Sequence, residues 1–247
     1  MELTVAAPAG PQNYAHLDLA GMSRYLDRFN LMGYDYAGVW AQPAAHQSNL
    51  YPSPNAAHNV STPFSTDAAV RDYLAAGVPA HKILLGMPLY GRAFLGTEGM
   101  GLNYTAGVGQ GSWEQGVYDY KALPLQGAVE RMEEGVGGSW SWDEAKGMVV
   151  SYDTPALTGV KSKYIRDRGL GGAMWWEASG DKSGHGSLIA AVSAAALVKR
   201  WGCVCMCADQ MQAYQRLGGA AAMDQTMNTL SYPASKYDNL RAGMPNN

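Results

Sequence analysis

Phe29-Asn-Leu-Met-Gly-Tyr-Asp-Tyr36 reads as a short buried strand that ends in a phenol and a carboxylate side by side. Tyr34 and Asp35 are therefore the first candidates for a functional site. Two later segments are built the same way: Lys82-Ile-Leu-Leu-Gly-Met-Pro-Leu-Tyr-Gly-Arg92 and Gly171-Gly-Ala-Met-Trp-Trp-Glu177. Each is an apolar run that terminates in side chains able to hydrogen-bond or stack. Working outward, Leu3 to Ala7 is a β-rich run closed by Pro8 and Gly10, and Leu17, Leu19, Met22, Leu26 and Phe29 recur at helical spacing. A long Pro, Asn, Ser and His loop runs from Tyr36 to about Pro63, and long loops at strand ends usually carry function. Thr66 is placed to cap a helix that carries Val70, Tyr73 and Leu74, with Gly77 and Pro79 ending it before the strand Ile83 to Pro88. Asp153 or Thr154 caps another, with Pro155 in its first turn, Val160, Tyr164 and Ile165 on one side and Gly169 as its stop. Near-continuous apolar strands alternating with amphipathic helices indicate a parallel sheet covered by helices, an α/β architecture. Between Arg92 and about Met148 the pattern changes to Gly, Tyr, Trp and short alternating pieces, read as a small α+β insertion over 93–148. Residues 149–198 resume the strand and helix alternation, ending in the alanine-rich helix Ser187 to Lys199. After Arg200 the periodicity is lost, and 199–247 is a divergent tail.

With 47% apolar residues in 247, a substantial core is intended. A net charge of −3 with 16% charged residues leaves no clustered Lys and Arg for nucleic acid, so a neutral partner is expected. No apolar run reaches the ~18 to 20 residues of a membrane helix. Met1 to Ala7 lacks the basic region of a secretory signal and is too short for one. The aromatic content, 15 Tyr and 7 Trp against 3 Phe, favours rings with a polar tip, which suit carbohydrate and half-buried positions alike. Cys203, Cys205 and Cys207 alternate too closely for an ordinary intrachain bridge and lack the partner ligands of a metal site. No metal or cofactor is called for. Asn59-Val-Ser61 and Asn103-Tyr-Thr105 fit the N-glycosylation pattern, which matters only in a secreted chain.

Four segments give the chain a family likeness: Leu3 to Pro11, Met32-Gly-Tyr-Asp35, Gly86-Met-Pro-Leu-Tyr-Gly-Arg92 and Met174-Trp-Trp-Glu177. On them it resembles the C-terminal half of a fungal family-18 glycoside hydrolase, a chitinase, over roughly residues 1 to 198 and again at Ser231 to Asn239. The resemblance implies about strands five to eight of a (β/α)8 barrel, with the site at the strands' C-terminal ends. It also implies chitin or N-acetylglucosamine oligosaccharides as ligand, an extracellular setting, and hydrolysis in which the sugar's own acetamido oxygen attacks the anomeric carbon. Tyr34 would donate its hydroxyl to that oxygen, and Asp35 would hydrogen-bond beside it and influence the acid's pKa. Trp176 would form the floor under the sugar, Arg92 and Tyr90 would hold it across the scissile bond, and Met32 would pack beneath. Trp113 and Tyr118 would line the cleft.

The family's proton donor lies in an Asp-x-x-Asp-x-Asp-x-Glu pattern, and this pattern occurs nowhere in the sequence. Asp143-Glu144, Glu130 with Glu133 and Glu134, and Asp167 have the wrong spacing and polar flanks, and Glu177 matches a residue the family does not use as its acid. A closed barrel needs ~250 residues, and of the 247 here about 55 belong to the insertion and about 50 to the tail, so an incomplete barrel is expected, with Leu3 to Ala7 and Gly171 to Trp176 as its edges. Self-association through those edges follows as an expectation, as do little binding and no hydrolysis by the chain alone. The competing expectation is a non-catalytic chitin-binding protein that keeps the Tyr, Trp and Arg wall.

Overall fold

The computed structural model describes residues 2–191. The cysteines, the tail, the segment Ser231 to Asn239 and the expected last helix beyond residue 191 lie outside the described residues. Strand β1 (Thr4–Pro8) is followed by two short helices, α1 (Pro11–Tyr14) and α2 (Leu19–Ser23), and then by β2 (Arg28–Met32). The helical spacing from Leu17 to Phe29 yields only α2, capped by the Asp18 carboxylate on Gly21 N–H at 2.9 Å. Strand pairing takes the rest: Asp27 N–H already bonds Leu3 C=O at 2.8 Å, and Phe29 lies inside β2.

Helix α3 (Thr66–Ala75) leads to β3 (Ile83–Pro88). Its N-cap is Ser65, not Thr66, because the Thr66 hydroxyl is committed to Asn49 C=O at 3.1 Å and to the Tyr36 hydroxyl at 2.9 Å. Gly77, at φ +92°, turns the chain out of the helix as expected. After Leu89 the chain enters a different sheet through β4 (Tyr90–Leu95), β5 (Val117–Asp119), β6 (Val129–Glu133), β7 (Gly138–Asp143) and β8 (Met148–Ser151). Helix α4 (Pro155–Asp167), capped by Thr154 with Pro155 at its start, then returns to β9 (Gly172–Trp176). On α4 it is Leu157, Tyr164 and Ile165 that are buried, while Val160 is exposed.

The four parallel strands lie in the order β1-β2-β3-β9 and the five antiparallel strands in the order β5-β4-β8-β7-β6. The helical content between Tyr90 and Ser151 is one 3₁₀ turn, Tyr120–Ala122. Among the described residues β1 and β9 each pair on one side only. In the parallel sheet, Ala7, Phe29, Leu31, Ile83, Leu85 and Met87 point one way into a core shared with Val70, Tyr73, Tyr164 and Ile165. Registers Ala6↔Asn30, Pro8↔Met32, Gly86↔Met174 and Pro88↔Trp176 put the alternate residues on the opposite face, where Ala6 and Trp176 are exposed and Asn30, Met32 and Met174 half-buried. The strands are thus apolar on both sides, but the described residues cover one side alone.

The long loop after Tyr36 is not a surface connector throughout. Its segment His46-Gln-Ser-Asn-Leu50 is buried at every residue and laces the two sheets together. The Ser48 hydroxyl donates to Asp153 Oδ1 at 2.7 Å, and the same carboxylate pairs with the buried Lys161 ammonium at 2.7 Å. The Asn49 amide donates to Tyr51 and Phe64 carbonyls at 2.9 and 2.8 Å. Buried polar groups partnered in this way hold a loop in one conformation.

Candidate active site

Tyr34 stands two residues beyond the end of β2, where Gly33 and Gly86 let the backbones of β2 and β3 approach. A Cβ on Gly33 would lie 2.7 Å from Gly86 C=O. A Cβ on Gly86 would meet the Tyr34 ring and the Met174 methyl, each at 3.0 Å, so these two side chains share the space over Gly86. Trp176, two residues past Met174 on β9, projects from that same face and is 59% exposed. Its carbonyl accepts the Leu89 N–H at 2.8 Å, which ties the end of β9 to the turn between β3 and β4. Met32 belongs to the same face and is half-buried.

Asp35 adopts φ +60°, which swings its carboxylate toward β4. There its Oδ1 accepts from the Tyr90 hydroxyl at 2.6 Å and from Arg92 Nε at 2.9 Å. The Tyr34 and Tyr90 rings meet edge to face, 6.2 Å apart. Arg92 is flanked by aromatics, with its guanidinium 4.9 Å from the Trp40 ring centre and 5.6 Å from that of Tyr90, and it reaches Glu114 at 3.8 Å. The structure therefore joins Tyr34, Asp35, Tyr90 and Arg92 in one contact group, with Met174 and Trp176 on the adjoining sheet face. Trp113 is not joined to that group by these contacts: it is 87% exposed and its indole N–H donates to Asp119 Oδ2 at 3.0 Å. It stands next to Glu114, on the Arg92 side. Tyr118 pairs with Gly91 in the β4–β5 ladder.

Burial, reinforced by the Asp35 charge, pushes the Tyr34 hydroxyl up to about 12. Burial and Asp35 raise Tyr90 further. Burial opposes the Arg92 charge, but the hydrogen bond and charge of Asp35 outweigh it and raise the guanidinium. The group thus combines a phenol that burial keeps protonated, a side-chain oxygen of Asp35 that accepts two hydrogen bonds, and a guanidinium held by Asp35. This arrangement binds and orients polar groups.

Three participants, Trp40, Gly86 and Glu114, are not among the site residues expected from the sequence. Trp40 could have been found as the aromatic that closes Tyr36-Ala-Gly-Val-Trp40, directly after the site strand. Gly86 could have been found as a glycine inside an apolar strand. Nothing in the pattern around Glu114 singles it out.

The family model for glycosyl hydrolases family 18 matches residues 1–181. The chain belongs to this family. Chitinase 1 of Aphanocladium album is 44% identical over 242 residues, which cover 98% of this chain and 51% of the relative. Chitinase A1 of Niallia circulans is 34% identical over 194 residues, 73% of this chain and 28% of the relative. Among solved structures, the catalytic domain of psychrophilic chitinase B from Arthrobacter TAD20 matches with a TM-score of 0.67 and 34% identity, covering 78% of this chain and 44% of that one. A mutant of the class V chitinase from Nicotiana tobaccum, in complex with NAG4, matches with a TM-score of 0.69 and 25% identity, over 80% of this chain and 57% of that one. The chain spans about half the length of the curated fungal family-18 relatives it matches. Its parallel sheet is correspondingly an incomplete part of the family's barrel.

Proposed function

We propose that this chain carries the sugar-holding part of a chitinase site, for polymers and oligomers of β-1,4-linked N-acetylglucosamine. The observation that carries the proposal is Asp35 Oδ1 joining the Tyr90 hydroxyl and Arg92 beside the protonated Tyr34. In the substrate-assisted scheme Tyr34 donates to the acetamido oxygen and holds it near the anomeric carbon, where orientation lowers the barrier. Asp35 hydrogen-bonds in the same site, Trp176 supplies the apolar floor with Met32 beneath, and Arg92 and Tyr90 hold the sugar across the scissile bond. Trp40, stacked on Arg92, extends the same wall, and Trp113 lines its outer rim.

In the family scheme the leaving oxygen is protonated by the Glu of the Asp-x-x-Asp-x-Asp-x-Glu pattern, which the sequence given does not contain. The chain therefore binds chitin oligosaccharides and does not by itself cleave them. Calorimetric titration with a chitin tetrasaccharide, run beside a chitobiose-release assay, tests both halves. Binding that Tyr34→Phe and Trp176→Ala each weaken supports the site, and absence of binding overturns it. Turnover comparable to that of a full-length relative, abolished by Tyr34→Phe, would show that an acid is present after all. The proposal extends to self-association through the open edges of β1 and β9, to be read as a concentration-dependent rise in mass on sedimentation and weakened by Ala6→Lys, a charge set on the exposed face of the edge strand.

A further inference from the structure

We infer that Gln47 is a positioning residue for the Tyr34, Asp35 and Tyr90 group, an inference that rests on the function proposed above. Gln47 is fully buried, and all the bonds described for it run toward that group. Its side-chain amide donates to the Tyr90 carbonyl at 2.8 Å and to the Ser151 carbonyl at 3.2 Å. Its own N–H donates to the Ser151 hydroxyl at 3.0 Å, and its carbonyl accepts the Tyr36 N–H at 3.0 Å.

These bonds close a circuit. Tyr36 is joined covalently to Asp35, Asp35 accepts from the Tyr90 hydroxyl, the Tyr90 carbonyl is held by the Gln47 amide, and the Gln47 carbonyl holds Tyr36. The backbone of Tyr36, which follows Asp35 beyond the end of β2, and the backbone of Tyr90, at the start of β4, are thus both fixed to one residue, the first by its carbonyl and the second by its side-chain amide. The location explains why a long amide is needed. The described pairing of β4 with β8 ends at Arg92↔Ser151, and just beyond it the Tyr90 and Ser151 carbonyls both turn to Gln47. Both hydrogens of the amide are used there. An apolar side chain of similar length fills the space but donates nothing, so the Tyr90 and Ser151 carbonyls both lose the bond from the Gln47 amide. Tyr90, released, no longer fixes the carboxylate that orients Arg92 and adjoins Tyr34.

The test compares wild type, Gln47→Met, Tyr90→Phe and the double variant by calorimetric titration with a chitin tetrasaccharide and by hydrogen exchange. Gln47→Met is expected to weaken binding about ten-fold. Because it acts through Tyr90, its added effect in the Tyr90→Phe background should shrink to less than about two-fold. A residue that merely stabilises the fold gives the same factor in both backgrounds, which overturns the inference, as does unchanged affinity. Peptides spanning 34–37 and 89–95 should exchange faster in Gln47→Met while 28–32 stays protected, and uniform loss of protection across all three also overturns it. This exchange reading stands even if wild type takes up no tetrasaccharide, an outcome that sinks the proposed function and not the brace. If Gln47→Met does not fold, Ser151→Ala, which removes the hydroxyl that accepts Gln47 N–H, is read by the same titration and exchange. It should raise exchange in 34–37 and 89–95, and no change there counts against the brace.

Discussion

Asp35 combines two costs that its partners offset. A side chain at φ +60° is disfavoured for residues other than glycine, though Asp and Asn bear it best, and a carboxylate beside a buried phenol must be hydrogen-bonded. Its bonds to Tyr90 and Arg92 meet the second need and over-determine the first. The two contributions separate on substitution. Asp35→Ala should be less stable than Asp35→Gly by about 1 kcal/mol in urea denaturation, because only glycine is at ease in this backbone conformation. Both variants should lose tetrasaccharide affinity alike, because both release Arg92 and Tyr90. If the glycine variant kept its affinity, the carboxylate would have no part in holding the ligand. At this scale the sequence was readable where chemistry clusters in one short stretch. Tyr34 with Asp35, and Tyr90 with Arg92, are neighbours in sequence that the fold brings together. Gln47 was not readable, because its role depends on which strand the loop crosses.

Gly86 shows how much of the site belongs to an element and not to a side chain. It lies inside β3, and a methyl group there would come 2.4 Å from Leu31 C=O and 3.0 Å from both Tyr34 and Met174. Gly86→Ala should therefore cost about 1–3 kcal/mol in stability and weaken ligand binding together, since the strand pair or the Tyr34 ring must move. A stable variant with wild-type affinity would contradict the close packing of β2 on β3. The bounds of β3 agree with the expected Ile83 to Pro88 because proline and glycine punctuation marks both of its ends. The N-terminal helix was overestimated, because an apolar period continued into residues that long-range pairing with β1 takes as strand. The cap of α3 moved by one residue for a related reason: Thr66 and Ser65 are equally able caps, and the distant Asn49 and Tyr36 decide between them. Tertiary partners override local preference at such boundaries.

For the molecule as a whole, the tyrosines set an alkaline limit. Burial pushes Tyr34, Tyr73 and Tyr120 each up to about 12. Held protonated in the folded state but free to ionise near 10 when unfolded, such phenols contribute stability that is complete below pH 10 and is lost as the pH climbs toward 12. The urea midpoint followed by circular dichroism should be level from pH 8 to 9.5 and fall steeply from 10 to 12. A midpoint that rises over that interval would contradict the burial of these rings. The parallel α/β layer was legible from its alternation of strand and helix, whereas the five-stranded antiparallel layer was read as an α+β insertion over 93–148 without its strand order, because its strands pair out of chain order. The exposure of the indoles has an optical consequence. Trp40, Trp113 and Trp176 face solvent whereas Trp140 is buried, so emission should separate into a red component reached by acrylamide and a blue one that is shielded. A saccharide laid along the wall would screen Trp40 and Trp176 from the quencher and leave Trp140 untouched, giving a label-free titration that reports where the ligand lies.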